Sequence, residues 1–289
     1  MNFRGVYTAL VTPFTKSGEV DWKKLTELVE RQIKAGIDGI VPVGTTGESP
    51  TLNGEEHLKV IKTTVETVAG RCKVIAGTGA NSTAEAIELT RAAKEFGIDG
   101  TLQVTPYYNK PNQTGLIRHF SAVADLGVPV VLYNVPGRTG REIAIETVVE
   151  LSKHPNIVSI KEAAGSVERV TEIKKRCNIE VMSGDDVLAL PMIREGAYGV
   201  VSVASNIIPA EMLALVHAAL DGDFETAEKL HNRYEQLFKH LFIDTNPIPI
   251  KAAMAMKGLI EEVYRLPLCE TSDENKRVLR ETLEKTGVL

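Results

Sequence analysis

The chain has 289 residues, 43% apolar and 25% charged, with a formal net charge of −5. That is enough chain to bury a large core without metals or disulfides, and an acidic balance without a basic block argues against nucleic-acid binding. Three scattered cysteines, Cys72, Cys177 and Cys269, predict a reducing compartment and neither a disulfide framework nor a zinc site. The stretch Met1-Asn2-Phe3-Arg4-Gly5 carries no apolar leader, and no window approaches a membrane span, so the expected location is the cytoplasm.

Gly5 to Thr12 reads as a strand ended by Pro13. Asp21 caps a helix to about Ala35, with Leu25, Leu28, Val29 and Ile33 on one stripe and Gly36 as its stop. A strand over Gly39–Val43 leads into Gly44-Thr45-Thr46-Gly47-Glu48. Asn53 then caps a helix, with Glu56 at the capping-box position. Further strands are expected at 74–76, 102–104, 130–133, 156–162, 180–182 and 199–203, each followed by helical periodicity. About eight such units predict an α/β fold, a (β/α)8 TIM barrel. A doubly wound open sheet is the alternative. Gly36-Ile37-Asp38-Gly39, Gly97-Ile98-Asp99-Gly100 and Gly196-Ala197-Tyr198-Gly199 form a weak internal repeat of compact helix-to-strand turns. After about Pro209 helices follow one another without strands, near 211–219, 224–238, 249–256 and 275–285. The expected division is a catalytic barrel over 1–220 and a small C-terminal helical region over 221–289.

Chemistry in such a barrel sits where strands end. Those ends hold Thr45, Thr46, Tyr107, Tyr108, Tyr133, Asn134, Arg138, Lys161, Ser183, Gly184, Asp185 and Ser205. No histidine is among them. His57, His119, His154, His217, His231 and His240 show no ligand spacing, and no metal or cofactor is expected. Gly77-Thr78-Gly79-Ala80-Asn81-Ser82 lacks the third glycine of a dinucleotide fingerprint, and there is no phosphate loop. Lys161 closes an apolar strand, on the face shared by Ser159 and Ile157. It is either a lysine reaching out to solvent or an amine nucleophile freed by loss of hydration. Tyr133 ends the preceding strand, as packing or as a proton relay. Thr45 and Thr46 lie in a glycine-bounded turn, either an ordinary turn or a nest of N–H groups for a carboxylate. Arg138 is solvated or a carboxylate fork. Asp185-Asp186 reads as a helix cap. Together they are the tools for Schiff-base activation of a 2-oxo acid, in which an iminium accepts electrons and the derived enamine attacks an aldehyde.

Gly44-Thr45-Thr46-Gly47-Glu48-Ser49, Thr105 to Asn109, Tyr133 to Pro136, Arg138-Thr139-Gly140, Ile160-Lys161-Glu162, Ser183 to Asp186 and Asn246 to Lys251 resemble, in order, the motifs of the dihydrodipicolinate synthase family of pyruvate-dependent aldolases. The resemblance covers essentially the whole chain. It implies a Schiff base between Lys161 and pyruvate, Tyr133 as proton donor and acceptor, and a relay through Thr45 and Tyr108, the latter from a neighbouring subunit. It implies contacts to pyruvate from Thr46 and Val203, Gly184 at the site, and Arg138 on the carboxylate of aspartate 4-semialdehyde. A lyase of lysine and diaminopimelate biosynthesis is expected, assembled as a homotetramer, a dimer of dimers, with no membrane or nucleic-acid partner. Family relatives cleave N-acetylneuraminate or 2-keto-3-deoxy-sugar acids, and these are the alternative substrates. A silent barrel that senses 2-oxo acids is the alternative outside enzymes. Ser49, His57, Asn81, Glu85 and Tyr107 match an inhibitory lysine site of some members. Pro50 and Gly54 depart from the sensitive pattern, so weak or absent inhibition is expected.

Overall fold

The structure, a computed structural model, describes residues 3–289; Met1 and Asn2, the start of the stretch read as leaderless, lie outside them. Among the described residues, the apolar runs pair as eight parallel strands in a closed barrel. These are β1 (Gly5–Ala9), β2 (Gly39–Val41), β3 (Lys73–Gly77), β4 (Gly100–Val104), β5 (Val130–Asn134), β6 (Ile157–Glu162), β7 (Glu180–Ser183) and β8 (Gly199–Ser202). β8 pairs with β1 to complete the ring, which excludes the open sheet.

Both strand faces are buried, which explains the unbroken apolar runs. One face packs on the surrounding helices through residues such as Val6, Ile40, Leu132 and Ile160. The other fills the interior with Tyr7, Val41, Ile75, Leu102, Val131, Met182 and Val201. The helices dock as their stripes predict. Trp22–Ala35 buries Leu25, Leu28 and Val29, each contributing about 1.5–3 kcal/mol. Asp21 accepts from the Lys24 N–H, and Gly36 ends the helix in the left-handed region. Asn53 and Glu56 form the reciprocal capping box of Gly54–Val68.

The internal repeat builds the floor of the barrel. Asp38 and Asp99 each stand before an even-numbered strand and accept from the strand before it, at the N–H of Val6 and Val74, both at 2.8 Å. The second glycine leaves room for what plugs the floor. A Cβ at Gly39 falls 2.2 Å from the Tyr7 ring, and one at Gly100 falls 2.7 Å from Phe3. The third copy has Tyr198 in place of aspartate, and its carbonyl takes the Gly5 N–H.

After β8 come helices Pro209–Leu220, Phe224–His240, Ile248–Met256 and Asp273–Thr286. Between the second and third, Asn246 and Pro247 bring the chain back to the mouth, the end at which the strands finish.

Three local readings change. β1 ends at Ala9, three residues short of Thr12. β2 ends at Val41, because Val43 takes a left-handed φ of 57° that a strand cannot hold. On β6 a register shift opposite Val130 and Val131 breaks the alternation. Ser159 and Lys161 share the interior face as expected, but Ile157 turns to the helices and Val158 packs against the interior.

Candidate active site

Lys161 and Tyr133 are register partners on adjacent strands, and Met182 is the next partner along the row. The row is interior and largely apolar. Lys161 is 6% exposed, and its Nζ lies 4.1 Å from the centroid of the Tyr133 ring. It has no hydrogen-bonded or ion-paired partner among the described residues. A buried lysine with no carboxylate in contact is rare, and the geometry keeps its nitrogen available beside a phenol. The reading of Lys161 as a solvent-seeking lysine fails on its burial.

Gly184 follows β7 and donates its N–H to the Glu162 carbonyl at 2.8 Å. A Cβ there would stand 2.6 Å from the Ala163 Cβ and 3.1 Å from the Lys161 Cε. The absent side chain is the space in which the lysine chain runs. Behind the strand, Glu162 is fully buried. It accepts from Asn134 Nδ2 at 2.8 Å, the Ala164 N–H at 3.1 Å and Arg169 Nε at 3.0 Å. Burial raises its pKa, against the lowering by Arg169 and Asn134.

The turn after β2 is bracketed by two strained residues, Val43 at φ 57° and Glu48 at φ 53°. Non-glycine residues in this region cost roughly 1–3 kcal/mol and gather at functional sites. The N–H groups of Thr45 and Thr46 find no acceptor among the described residues, which leaves them free for a ligand. The Thr46 side chain is 3% exposed, and its Oγ1 accepts from Asn246 Nδ2 at 3.0 Å. Arg138 lies in the short helical turn Pro136–Thr139 and donates to the Asn246 carbonyl at 3.0 Å.

A cavity of about 210 Å³ opens here, lined by Thr45, Ser49, Pro50, Tyr107, Tyr133, Arg138 and others. Lys161 is not part of the lining; it packs against the Tyr133 ring. Burial raises the pKa of the Asp185 carboxyl, opposed by the charges of Lys161 and Arg138.

Several strand-end residues lie elsewhere. Tyr108 is 89% exposed at φ 72° and does not line the cavity, whereas Tyr107 does. Asn134 faces the helices and holds Glu162 and the Ile143 N–H. Ser183 bonds back to Asp185, and Ser205 to Ser202. Val203 is buried just past β8. Asp185 and Asp186 do not cap the turn that follows them. Asp186 instead accepts from the N–H groups of Val203 and Ala204, at 3.0 and 2.9 Å, and so fixes the turn after β8. Burial pushes its carboxyl up to about 6.

Near the cavity, Asn81 donates to the Tyr107 carbonyl at 3.2 Å. Burial raises the Tyr107 pKa, and the Glu85 charge adds to it. His57 is buried with Nε2 2.8 Å from the Gly77 carbonyl, and burial lowers its pKa. Asn246 is the residue at this site that strand-end reasoning missed. It stands 200 residues from Thr46, and its only trace in the sequence is the Asn246 to Lys251 motif.

A family model described as the dihydrodipicolinate synthetase family matches residues 2–286. A relative from Thermodesulfovibrio yellowstonii, named 4-hydroxy-tetrahydrodipicolinate synthase, is 51% identical over 290 residues, 99% of each chain. A dihydrodipicolinate synthase structure from Acinetobacter baumannii, complexed with pyruvate, is 46% identical at a TM-score of 0.98 and covers 100% of both chains. One from Cyanidioschyzon merolae with lysine bound is 43% identical at a TM-score of 0.96, covering 99% of both.

Proposed function

The chain belongs to the dihydrodipicolinate synthetase family, and from that premise we infer that it is a lyase of lysine and diaminopimelate biosynthesis. It condenses pyruvate with aspartate 4-semialdehyde to give 4-hydroxy-tetrahydrodipicolinate. The relatives reported above carry this activity in their names, not that of a sugar-acid lyase. The observation that carries the reading is the unpaired, buried Lys161 set against Tyr133 at the barrel mouth.

In this reading the Lys161 amine adds to the pyruvate ketone, and the ketone oxygen leaves as water. The iminium acidifies the methyl carbon, whose proton passes to the relay, and the resulting enamine carbon bonds to the aldehyde carbon as the aldehyde oxygen takes a proton. The amino group of the semialdehyde then replaces Lys161 on the imine carbon, which closes the ring and frees the lysine amine. Tyr133 carries protons for the lysine and the carbonyl oxygen. Thr45 and Tyr108 complete the relay, with Tyr108 supplied by a neighbouring subunit. Its exposure away from its own cavity supports that origin. The free N–H groups after β2, with Thr46, suit the pyruvate carboxylate. Val203 and Gly184 bound the pyruvate position, and Arg138 takes the carboxylate of the aldehyde.

The assembly we propose is a cytoplasmic homotetramer, a dimer of dimers, and sedimentation at micromolar concentration tests it. Residues 1–220 serve as the catalytic barrel. Residues 221–289 are a helical region that lends Asn246 to the mouth. Ser49, His57, Asn81, Glu85 and Tyr107 occupy the positions of the family's lysine site, where we expect lysine to bind weakly or not at all. The Asn81–Tyr107 contact and the nearby Glu85 charge support the placement.

Borohydride with pyruvate tests the central step. Reduction is expected to fix the label on Lys161 alone and to inactivate the enzyme, and Lys161→Ala removes the label. Arg138→Ala is expected to trap pyruvate normally and lose use of the semialdehyde, by about 2–4 kcal/mol in kcat/KM. A label on another lysine, rising in step with inactivation, defeats the assignment.

A further inference from the structure

One charged pair close to the site is buried completely and has no part in the reaction as read above. Glu48 is 1% exposed and Lys251 is 0% exposed, and Lys251 Nζ lies 2.5 Å from Glu48 Oε1. The second carboxylate oxygen accepts from the Arg265 N–H at 3.3 Å. The ammonium also sits over the Phe14 ring, 4.2 Å from its centroid. Replacing such a pair by apolar groups of the same shape is often neutral or stabilising, so stability alone does not account for it.

Its place in the chain does. Glu48 closes the turn that carries Thr45 and Thr46, in a backbone conformation that non-glycine residues seldom adopt. Something outside the turn has to hold it there. Lys251 stands in the first turn of Ile248–Met256, with its N–H on the Pro247 carbonyl at 3.0 Å. Immediately before that helix, Asn246 touches both grips, Thr46 through its side chain and Arg138 through its carbonyl, each at 3.0 Å. One short segment therefore meets the turn twice, at Thr46 and at Glu48, and meets Arg138 once.

We propose that Glu48 and Lys251 are positioning residues, whose buried pair locks the Thr45–Thr46 turn to the segment that holds Arg138. The two carboxylate grips are then held in place together, and each substrate is bound at its full affinity. This rests on the reading of Thr46 and Arg138 given above.

The double variant Glu48→Gln with Lys251→Met removes both charges and keeps the volume. With the pair gone, the KM values for pyruvate and for the semialdehyde are expected to rise together, by roughly ten-fold, the equivalent of about 1.4 kcal/mol lost at each carboxylate grip. At saturation, kcat stays within about two-fold, and borohydride still fixes pyruvate fully on Lys161, the pattern of lost ground-state binding. Lys276→Gln is the control. It breaks the Lys276–Glu262 pair, 2.7 Å long, which ties together parts of the same C-terminal region and does not touch the turn. It is expected to lower Tm and leave both KM values alone. A folded double variant with wild-type KM values, whatever its Tm, overturns the proposal and reduces the pair to a staple. If the double variant does not fold, Glu48→Asp keeps the charge and lengthens the contact. Parallel KM increases are then expected, and unchanged KM values overturn the proposal. Failure of wild type to trap pyruvate on Lys161 would instead overturn the functional reading itself.

Discussion

Gly184→Ala probes the seat of Lys161 without replacing the lysine. Gly184 does not occupy the left-handed region, so alanine is tolerated by the backbone. The added methyl, however, stands 2.6 Å from the Ala163 Cβ and 3.1 Å from the Lys161 Cε. Carbon atoms settle at about 3.5–4.0 Å, leaving shortfalls of roughly 1 Å and 0.5 Å. The backbone cannot open easily, because the Gly184 N–H is bonded to the Glu162 carbonyl at 2.8 Å. Relief takes both a shift of the chain that carries Ala163, just past β6, and a swing of the lysine side chain, and either carries Nζ off the Tyr133 ring. Overpacking of this kind costs about 1–3 kcal/mol of stability. A displacement near 1 Å costs up to ~100-fold in rate. The assay is the rate at which borohydride traps pyruvate, measured beside steady-state turnover and Tm. A 10- to 100-fold slower trapping is expected, roughly as turnover falls. Gly54→Ala, where nothing lies within 4 Å, is the control and is expected to trap normally. Wild-type trapping and turnover in a folded Gly184→Ala enzyme would refute the argument that the missing side chain makes room for Lys161.

Tyr108→Phe and Tyr133→Phe chains, each inactive, are expected on mixing to recover about a quarter of wild-type activity, since half of random dimers hold one intact site; no recovery after proven subunit exchange counts against Tyr108 crossing the interface. Lysine is expected to inhibit weakly or not at all. Gly54 offers no side chain and Pro50 no N–H, and one or two lost hydrogen bonds to a charged ligand, ~1.5–3 kcal/mol each, weaken binding ten-fold or more. Calorimetry showing tight, sub-millimolar binding with strong inhibition defeats this. Asp186 has a raised pKa, about 6 against 3.8, so it favours the folded state while protonated. That contribution is full below pH ~4 and is lost as pH rises through 6, about 3 kcal/mol at 1.36 kcal/mol per pKa unit. Urea unfolding of wild type and Asp186→Asn is therefore expected to show a stability difference that changes with pH over this window. A constant difference rejects it.

The barrel was legible because most strands announce themselves locally, by an apolar run that follows a stretch of helical periodicity. Lys161 and Tyr133 were legible for the same reason: consecutive parallel strands pair, and both residues sit at strand ends. What escaped depends on contacts across the chain. The turned-out Ile157 comes from a register shift that no single strand encodes. Asp186 caps a turn 17 residues further on, not the one beside it. Asn246 and Lys251 sit in a helical tail whose periodicity says only that it packs, and their partners lie about 200 residues upstream.

That return of the tail to the mouth sets an order of events during synthesis. The ribosome has made all eight strands, and the amine with them, once Ser202 is added. Asn246 and Lys251 emerge only later, after two further helices. A chain that stops before them holds Lys161 in a complete set of strands but lacks the contacts that tie down Thr46, Glu48 and Arg138.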